Sequence, residues 1–164
     1  MPRSLLLLIA ALPLAACGSG TGTSIAINAQ SDDGNATVST DGNGQVTIKA
    51  PGFEGALKLP PIDISAEDFE INGLRLYPKS KIRSFQADSK GKGTQDDKAV
   101  VTFESPAPLA KVQGWFRENL AKHHFKASAD GNGFKGTTED GEPFVLTLDA
   151  AGPDKVSGRM VVGK

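Results

Sequence analysis

Short stretches with an apolar residue at every second position recur along the first third of this chain, separated by small polar turns. The apolar positions of these stretches are Ile25, Ile27, Val38, Val46, Ile48, Leu57 and Leu59. Alternation with a period of two is typical of strands that bury one face. The segment Asp41-Gly42-Asn43-Gly44 supplies the positive φ angles that a tight hairpin turn requires. The pattern predicts a β-meander over residues 25–59.

One amphipathic helix is predicted in the second half of the chain, at about residues 105–124. Four apolar residues recur there at helical spacing and share one face, namely Leu109, Val112, Phe116 and Leu120. The side chain of Ser105 is suited to cap the free N–H groups of the first turn, where proline is also tolerated. The helix is therefore expected to lie on a sheet with its other face in solvent.

Strands are predicted on both sides of this helix, at residues 82–87, 99–104, 125–129, 133–138, 144–149 and 155–162. This order indicates an α+β fold with a two-layer antiparallel sheet and one main helix, preceded by a small β-rich region. Pro60 and Pro61 lack backbone donors, so strand pairing is expected to stop there. We therefore expect a β-rich region at 25–64 and an α+β domain at 65–164.

Charge and cysteine content exclude several classes of protein. The chain has 164 residues with a net charge of −1, whereas a nucleic-acid binder would show a clustered basic face. Cys17 is the one cysteine in the sequence. The domain that follows it therefore has no internal disulfide, no thiol nucleophile and no cysteine-based metal site.

The first 16 residues have the pattern of a secretory signal peptide. Arg3 precedes an apolar run at 5–16, which is shorter than the roughly 20 residues that span a bilayer. The segment Leu14-Ala15-Ala16-Cys17 resembles a bacterial lipobox. This resemblance implies removal of residues 1–16, acylation of Cys17 and partnership with membrane lipid. Residues 17–24 then form the lipidated end and a flexible tether, because they are small and polar.

Two further features resemble small Gram-negative envelope lipoproteins of unassigned function. The stretch from Phe69 to Pro78, followed by strands and by Trp115-Phe116 on a helix, is similar to that group over most of the mature chain. Gly18, rather than aspartate, follows the lipidated cysteine. The resemblance therefore implies the outer membrane, facing the periplasm, in preference to the inner membrane.

Three residues stand out as candidates for binding: Trp115, His123 and His124. Trp115 flanks the apolar face of the predicted helix, and aromatic residues are enriched at interfaces. Histidine is the commonest metal ligand, but adjacent helical residues point about 100° apart, and a zinc helix needs histidines at i and i+4. A structural place at the helix C-terminus is favoured for both histidines, and no metal site is predicted.

No catalytic motif is present in the sequence, and no cofactor is expected. The function we predict is a lipid-anchored cell-envelope protein, a non-enzymatic binding or adaptor module whose partner is another envelope protein. One alternative is a lipid-tethered hydrolase with an unrecognised site around His123 and His124. Another is a domain that binds a small ligand or lipid between helix and sheet, which requires a sizeable apolar cavity.

Overall fold

The structure, a computed structural model, describes residues 22–31, 34–60, 64–67, 69–89 and 97–164. Within this part of the chain, 60% of the residues lie in strands and 11% are helical. The predicted α+β fold with a two-layer antiparallel sheet is therefore wrong. The described chain is mostly β, with one ten-stranded mixed sheet and one short helix.

Four consecutive strands form an antiparallel meander at one side of the sheet. They are β1 (Ser24–Ser31), β2 (Gly34–Thr40), β3 (Gln45–Ala50) and β4 (Phe53–Lys58). The turn between β2 and β3 is organised by Asp41, whose Oδ1 accepts hydrogen bonds from the N–H groups of Gln45 at 2.8 Å and Asn43 at 2.9 Å. These bonds, that of Gln45 foremost, hold the pKa of the Asp41 carboxyl below its usual value.

A small hairpin outside the main sheet follows the meander. Its strands are β5 (Glu70–Ile71) and β6 (Leu74–Arg75), joined by a turn in which Asn72 and Gly73 have positive φ. Asn72 Nδ2 lies 3.4 Å from Asp140 Oδ2, close to the limit for a hydrogen bond. Ile71 and Leu74 are buried, so this hairpin forms part of a second layer over the sheet.

The remaining strands of the main sheet are β7 (Lys81–Ser89), β8 (Lys98–Ser105), β9 (Lys126–Asp130), β10 (Gly133–Thr137), β11 (Pro143–Gly152) and β12 (Lys155–Gly163). They correspond to the six strands predicted around the helix. The order across the described sheet is β4-β3-β2-β1-β7-β8-β12-β11-β10-β9.

The pairing of β1 with β7 is parallel and explains why the predicted fold class failed. Ser24 lies beside Ser84 and Ala29 beside Ser89, so the meander adds four strands to the sheet of the main domain. Turn signals and alternation specify pairing between strands that are neighbours in sequence. They carry no information about a pair whose members lie 60 positions apart.

The helix, α1 (Leu109–Lys122), is shorter than the predicted 105–124. Pro108 precedes its first turn, without a side-chain cap. Ser105 is instead the last residue of β8, and its hydroxyl lies 2.7 Å from that of Ser80 in a buried hydrogen bond. The expected cap was wrong because the serine is used to join β8 to the start of β7.

The core lies between the sheet and the layer formed by α1 and the β5–β6 hairpin. The helix buries Val112, Phe116 and Leu120 almost completely, as its predicted face requires. On the sheet, Phe103 lies against Phe116, with 5.8 Å between ring centroids. The other fully buried sheet residues include Val101, Leu146, Leu148, Val156 and Met160.

Candidate functional site

One face of the sheet is apolar across all ten strands, as the register shows. Ile27 lies beside Ala87 of β7, and Ala87 lies beside Ala99 of β8. On the other side of β1, Ile27 lies beside Val38, and Val38 beside Ile48. Because side chains at paired positions point to the same side of a sheet, these residues share the face that α1 covers further along.

Among the described residues, the second layer does not extend over the meander. We call the part of the apolar face that belongs to β1–β4 the meander face. Its residues are Ile25, Ile27, Ala29, Ala36, Val38, Thr40, Val46, Ile48, Ala50, Phe53, Gly55 and Leu57. Several of its large side chains are exposed: Ile27 by 41%, Val38 by 38%, Leu57 by 45% and Phe53 by 60%. Ile25, Val46 and Ile48 are half-buried and Thr40 is buried, so the meander face is an apolar surface that is partly exposed to solvent.

No charged residue occupies the meander face, whereas the reverse face of the same strands is polar. Lys49 and Glu54 lie opposite each other on that reverse face and form an exposed ion pair at 2.9 Å. The neighbouring reverse positions of β2 are Thr37 and Ser39. The two faces of the meander thus differ sharply in chemistry, although no other layer of the described chain covers either of them.

A groove of about 260 Å³ lies where the meander face meets the β5–β6 hairpin. Its apolar lining is formed by Ile27, Ala29, Ile71, Ala87, Ala99 and Val162. Polar and charged residues complete the lining, namely Asn28, Asn72, Asp88, Ser89, Asp97, Lys98 and Glu142. Because three of the apolar lining residues are alanines, the groove has room for a large side chain from outside.

The outer edge of the meander is β4, which has no further strand beside it in the described sheet. An exposed strand edge offers unpaired N–H and C=O groups, and proteins usually blunt it with charge or cover it. Phe53 begins this strand, and its ring lies back over Gly55 on the meander face. A Cβ atom added to Gly55 would be 3.0 Å from Phe53 Cζ, which shows how closely the ring approaches this glycine.

The predicted binding residue Trp115 is half-buried beside the core. Its ring meets Phe116 with 5.0 Å between centroids and Tyr77 with 6.1 Å, both nearly perpendicular. Aromatic pairs in this arrangement contribute about 0.5–1.5 kcal/mol beyond the area that they bury. Trp115 therefore packs the helix against the segment that follows β6, and its binding role stays a prediction.

His123 and His124 lie at the C-terminus of α1. His124 is exposed with a φ of +57°, its N–H donates to the carbonyl of Ala121 at 3.3 Å, and the N–H of Phe125 donates to that of Leu120 at 3.0 Å. This pattern is a Schellman motif, which satisfies the free carbonyls of a helix end. His123 is half-buried next to the hairpin turn, where a Cβ on Gly73 would lie 3.0 Å from its Nδ1.

The structural interpretation of this histidine pair, with no metal site, stays a prediction. Within the described residues, neither ring forms an ion pair with a carboxylate. In the same part of the chain, no three histidine, cysteine, aspartate or glutamate side chains are grouped closely enough to hold a metal ion. The hydrolase alternative, which requires a carboxylate or another base beside one of these rings, stays a prediction.

Glu104 is the acidic residue with the most specific partners. Its Oε2 accepts a hydrogen bond from Arg83 Nη2 at 2.7 Å and lies 2.9 Å from Lys155 Nζ. These two cations, Arg83 first, hold the pKa of the Glu104 carboxyl below its usual value. These three side chains join β7, β8 and β12 at the end of the sheet where Thr23 lies. The role of Glu104 is structural.

The predicted signal peptide, Cys17 and the first part of the tether lie outside the described residues. Within the described chain, no helix has both the length and the apolar character needed to cross a membrane. The first described residues are closely tied to the fold: Gly22 N–H donates to Gly42 O at 3.1 Å, and Thr23 is buried.

Comparisons with protein-family models, with curated proteins and with solved structures found no match for this chain in any of the three. The function is therefore inferred from the residues themselves. Sequence reasoning did not single out the meander face, although its alternating residues are plain in the sequence. Alternation identifies an apolar face, but the helix that covers such a face elsewhere is known only from the tertiary structure.

Proposed function

We propose that this protein is a lipid-anchored cell-envelope protein whose domain is a non-enzymatic binding module for another envelope protein. Acylated Cys17 holds it to the membrane, and Gly18 favours the outer membrane, facing the periplasm. The observation that carries the binding role is the meander face, an apolar surface without a covering layer.

The length of the tether supports a domain that works close to the membrane. Five residue steps separate Cys17 from Gly22, and a fully extended chain covers about 17 Å in that distance. Since Gly22 and Thr23 are already attached to the fold, this end of the fold cannot move further than this from the anchor. The Ser24 end of the meander face therefore stays near the lipid surface, whereas the Ser31 end of β1 lies about 23 Å further along the strand.

The size of the meander face supports a macromolecular partner. Four strands about 4.8 Å apart, with about seven residues each, cover roughly 400–450 Å². The largest apolar patch of a typical soluble monomer is about 300–600 Å² and is often a binding surface. The outer edge of β4, which has no strand beside it in the described sheet, adds backbone groups that a protein partner can contact.

Binding of a small ligand beneath the helix has less support. The residues that face each other there, among them Phe103, Val112 and Phe116, have almost no exposed surface. The groove beside the meander is also smaller than the 300–1,000 Å³ that is usual for drug-sized ligands. An apolar ligand would therefore have to use the same uncovered surface that we assign to a protein.

A photo-cross-linking experiment in the native membrane tests both parts of this proposal. A photoreactive phenylalanine analogue replaces Val38 on the meander face or, as the matched control, Ser39 on the reverse face of the same strand. We expect a protein adduct from position 38 and none from position 39. The absence of an adduct at position 38, or an adduct with lipid alone, would contradict the binding module.

The anchor is tested separately by Cys17→Ser. This variant should lose the acyl mass and leave the membrane fraction in flotation, because one thiol carries the attachment. If the variant floats with the membranes as the wild type does, the anchor on Cys17 is refuted. The adduct at position 38 is scored only in the lipidated protein, so the two readouts remain independent.

A further inference from the structure

We propose that the protein bound by the meander face is a second copy of this chain, with Phe53 of each copy inserted into the groove of the other. This inference rests on the proposed function, because it assigns the partner of the same surface. The two meanders would form a β-sandwich whose apolar interior is built from both copies.

The depth of the uncovered region fits a second sheet. An α-helix with its side chains is about 10–12 Å in diameter, so the layer containing α1 stands above the meander by roughly that height. Two sheets that pack face to face lie about 10 Å apart. A second meander therefore has about the same thickness as the second layer of the single chain.

A two-fold axis parallel to the strands satisfies the geometry of both copies. Sheets in a sandwich keep their strand directions within about 30° of each other. Rotation about such an axis places β1 of one copy opposite β4 of the other. The free edge of each β4 then lies against the β5–β6 hairpin of its partner, which covers the edge that is open in the single chain.

Phe53 and the groove are at matching heights along the strands. Phe53 pairs with Ala50 at the end of β3, whereas Ala29 in the groove lies near the same end of β1. An axis parallel to the strands preserves this height. The exposed Phe53 ring of one copy therefore meets the alanine-lined groove of the other, as an aromatic anchor meets its pocket in known interfaces.

Charge and attachment also suit a symmetric pair. A two-fold interface brings identical surfaces together, and the meander face has no charged side chain that would be repelled by its own copy. Thr23, where the tether joins the fold, is at the same end of both meanders. Both acylated Cys17 residues can thus enter the same membrane.

The area of contact makes this pairing dependent on the membrane. Two meander faces together bury roughly 900 Å², below the 1,200–2,000 Å² of stable interfaces. Two copies anchored in one bilayer, however, meet at a high effective concentration. We therefore expect dimers on membranes and monomers after dilution in detergent.

Cross-linking between differently tagged copies tests the pair. One lipidated copy carries Phe53→Cys and the other Ala29→Cys, and a short bis-maleimide reagent is added to their membranes. Since acylation occupies Cys17, these are the reactive thiols. We expect a covalent pair that contains both tags. The matched control combines Glu54→Cys with Gln30→Cys, which are the neighbouring positions on the reverse face, and should give at least fivefold less product.

Each other outcome overturns the inference. If the protein floats with the membranes but the two tags are not joined, the second copy is wrong while the anchored binding module stands. If Phe53→Cys copies join one another, two β4 edges meet and the face-to-face arrangement is wrong. Val38→Asp should reduce the mixed product at least fivefold, whereas Ser39→Asp should not. Equal yields from these two variants would also refute the proposal.

Discussion

Glu104 shows how one side chain joins strands that are distant in sequence. Its carboxylate contacts Arg83 from β7 and Lys155 from β12, while the residue itself belongs to β8. The side chain is 27% exposed, so the two interactions are only partly screened by water. Because both cations favour the ionised form, the pKa of Glu104 in the folded chain is lower than in the unfolded chain.

The lowered pKa of Glu104 predicts a pH-dependent contribution to stability. Such a carboxylate stabilises the fold above its unfolded pKa, near 4.5, and the contribution is lost as pH falls through the folded value. We expect Glu104→Gln to lower the free energy of unfolding by about 0.5–1 kcal/mol at pH 7 and by much less near pH 3. Urea titrations of both proteins at each pH measure this difference.

The control for this prediction is Glu118→Gln, which removes the exposed partner of Lys122 on the outer surface of α1. It should change the free energy of unfolding by less than Glu104→Gln at pH 7. A loss for Glu104→Gln that is the same at both pH values would show that the pKa shift does not contribute.

At the scale of elements, the contact of α1 with the sheet depends on one close approach. Gly158 of β12 lies beside Phe103 of β8, and a Cβ on Gly158 would be 2.2 Å from Phe103 Cζ. The Phe103 ring occupies this space and thereby reaches Phe116 on the helix. The alternating pattern of β12 predicts an inward-facing side chain at position 158. Glycine stands there because the rings of Phe103 and Phe116 need the space.

Gly158→Ala is expected to lower the free energy of unfolding by about 1–3 kcal/mol, because the added methyl group overpacks a rigid core. The matched control is Gly114→Ala in α1, where a Cβ would meet open space. That substitution should raise the free energy of unfolding by about 0.5–1 kcal/mol through helix propensity. Both are measured by urea denaturation, and a neutral Gly158→Ala would contradict the described packing.

At the scale of the whole molecule, the meander is joined to the main sheet through β1 and β7. Thr23 lies at the start of this joint and is buried. Its Oγ1 donates to the carbonyl of Ile82 at 2.6 Å and accepts from the N–H of Ile64 at 3.3 Å. One hydroxyl therefore connects the residue before β1, the segment at Ile64 and the start of β7.

Loss of the Thr23 hydroxyl should lower the free energy of local opening of the meander more than that of the rest of the sheet. Thr23→Val preserves the shape of the side chain but leaves two buried backbone groups without their partner, at a cost of about 1–3 kcal/mol. We expect amide hydrogen exchange to accelerate in β1–β4 more than in β11 and β12. Thr37→Val on the reverse face of β2 is the control and should change exchange little. Uniform acceleration over both regions would show that the meander does not open separately.

Much of the local structure follows from the sequence. The strands around the helix lie close to their predicted positions, and the inward face of α1 contains Val112, Phe116 and Leu120 as its spacing indicates. The helix start was misjudged because Ser105 has the chemistry of a cap but is bound to Ser80. Whether a serine caps a helix depends on what lies nearby in space, which its neighbours in sequence do not reveal.

The candidate site was less accessible to sequence reasoning than the strands. Trp115, His123 and His124 attract attention by residue type, whereas Ile27, Val38 and Phe53 look like ordinary strand residues. Their importance comes from exposure, and exposure depends on whether another element covers them. The predicted acylation of Cys17 has a local motif as its basis, so it could be proposed without any tertiary information.

By itself, the sequence determined the turns, the alternating strands and the apolar stripe of the helix, because each depends on φ preferences and side-chain periodicity within a few residues. Only the tertiary structure decided that β1 pairs in parallel with β7 and that the second layer stops at the meander. Such pairings are selected by the area buried between distant segments. The area buried between these segments did not include the meander face, and this is the surface to which we assign binding.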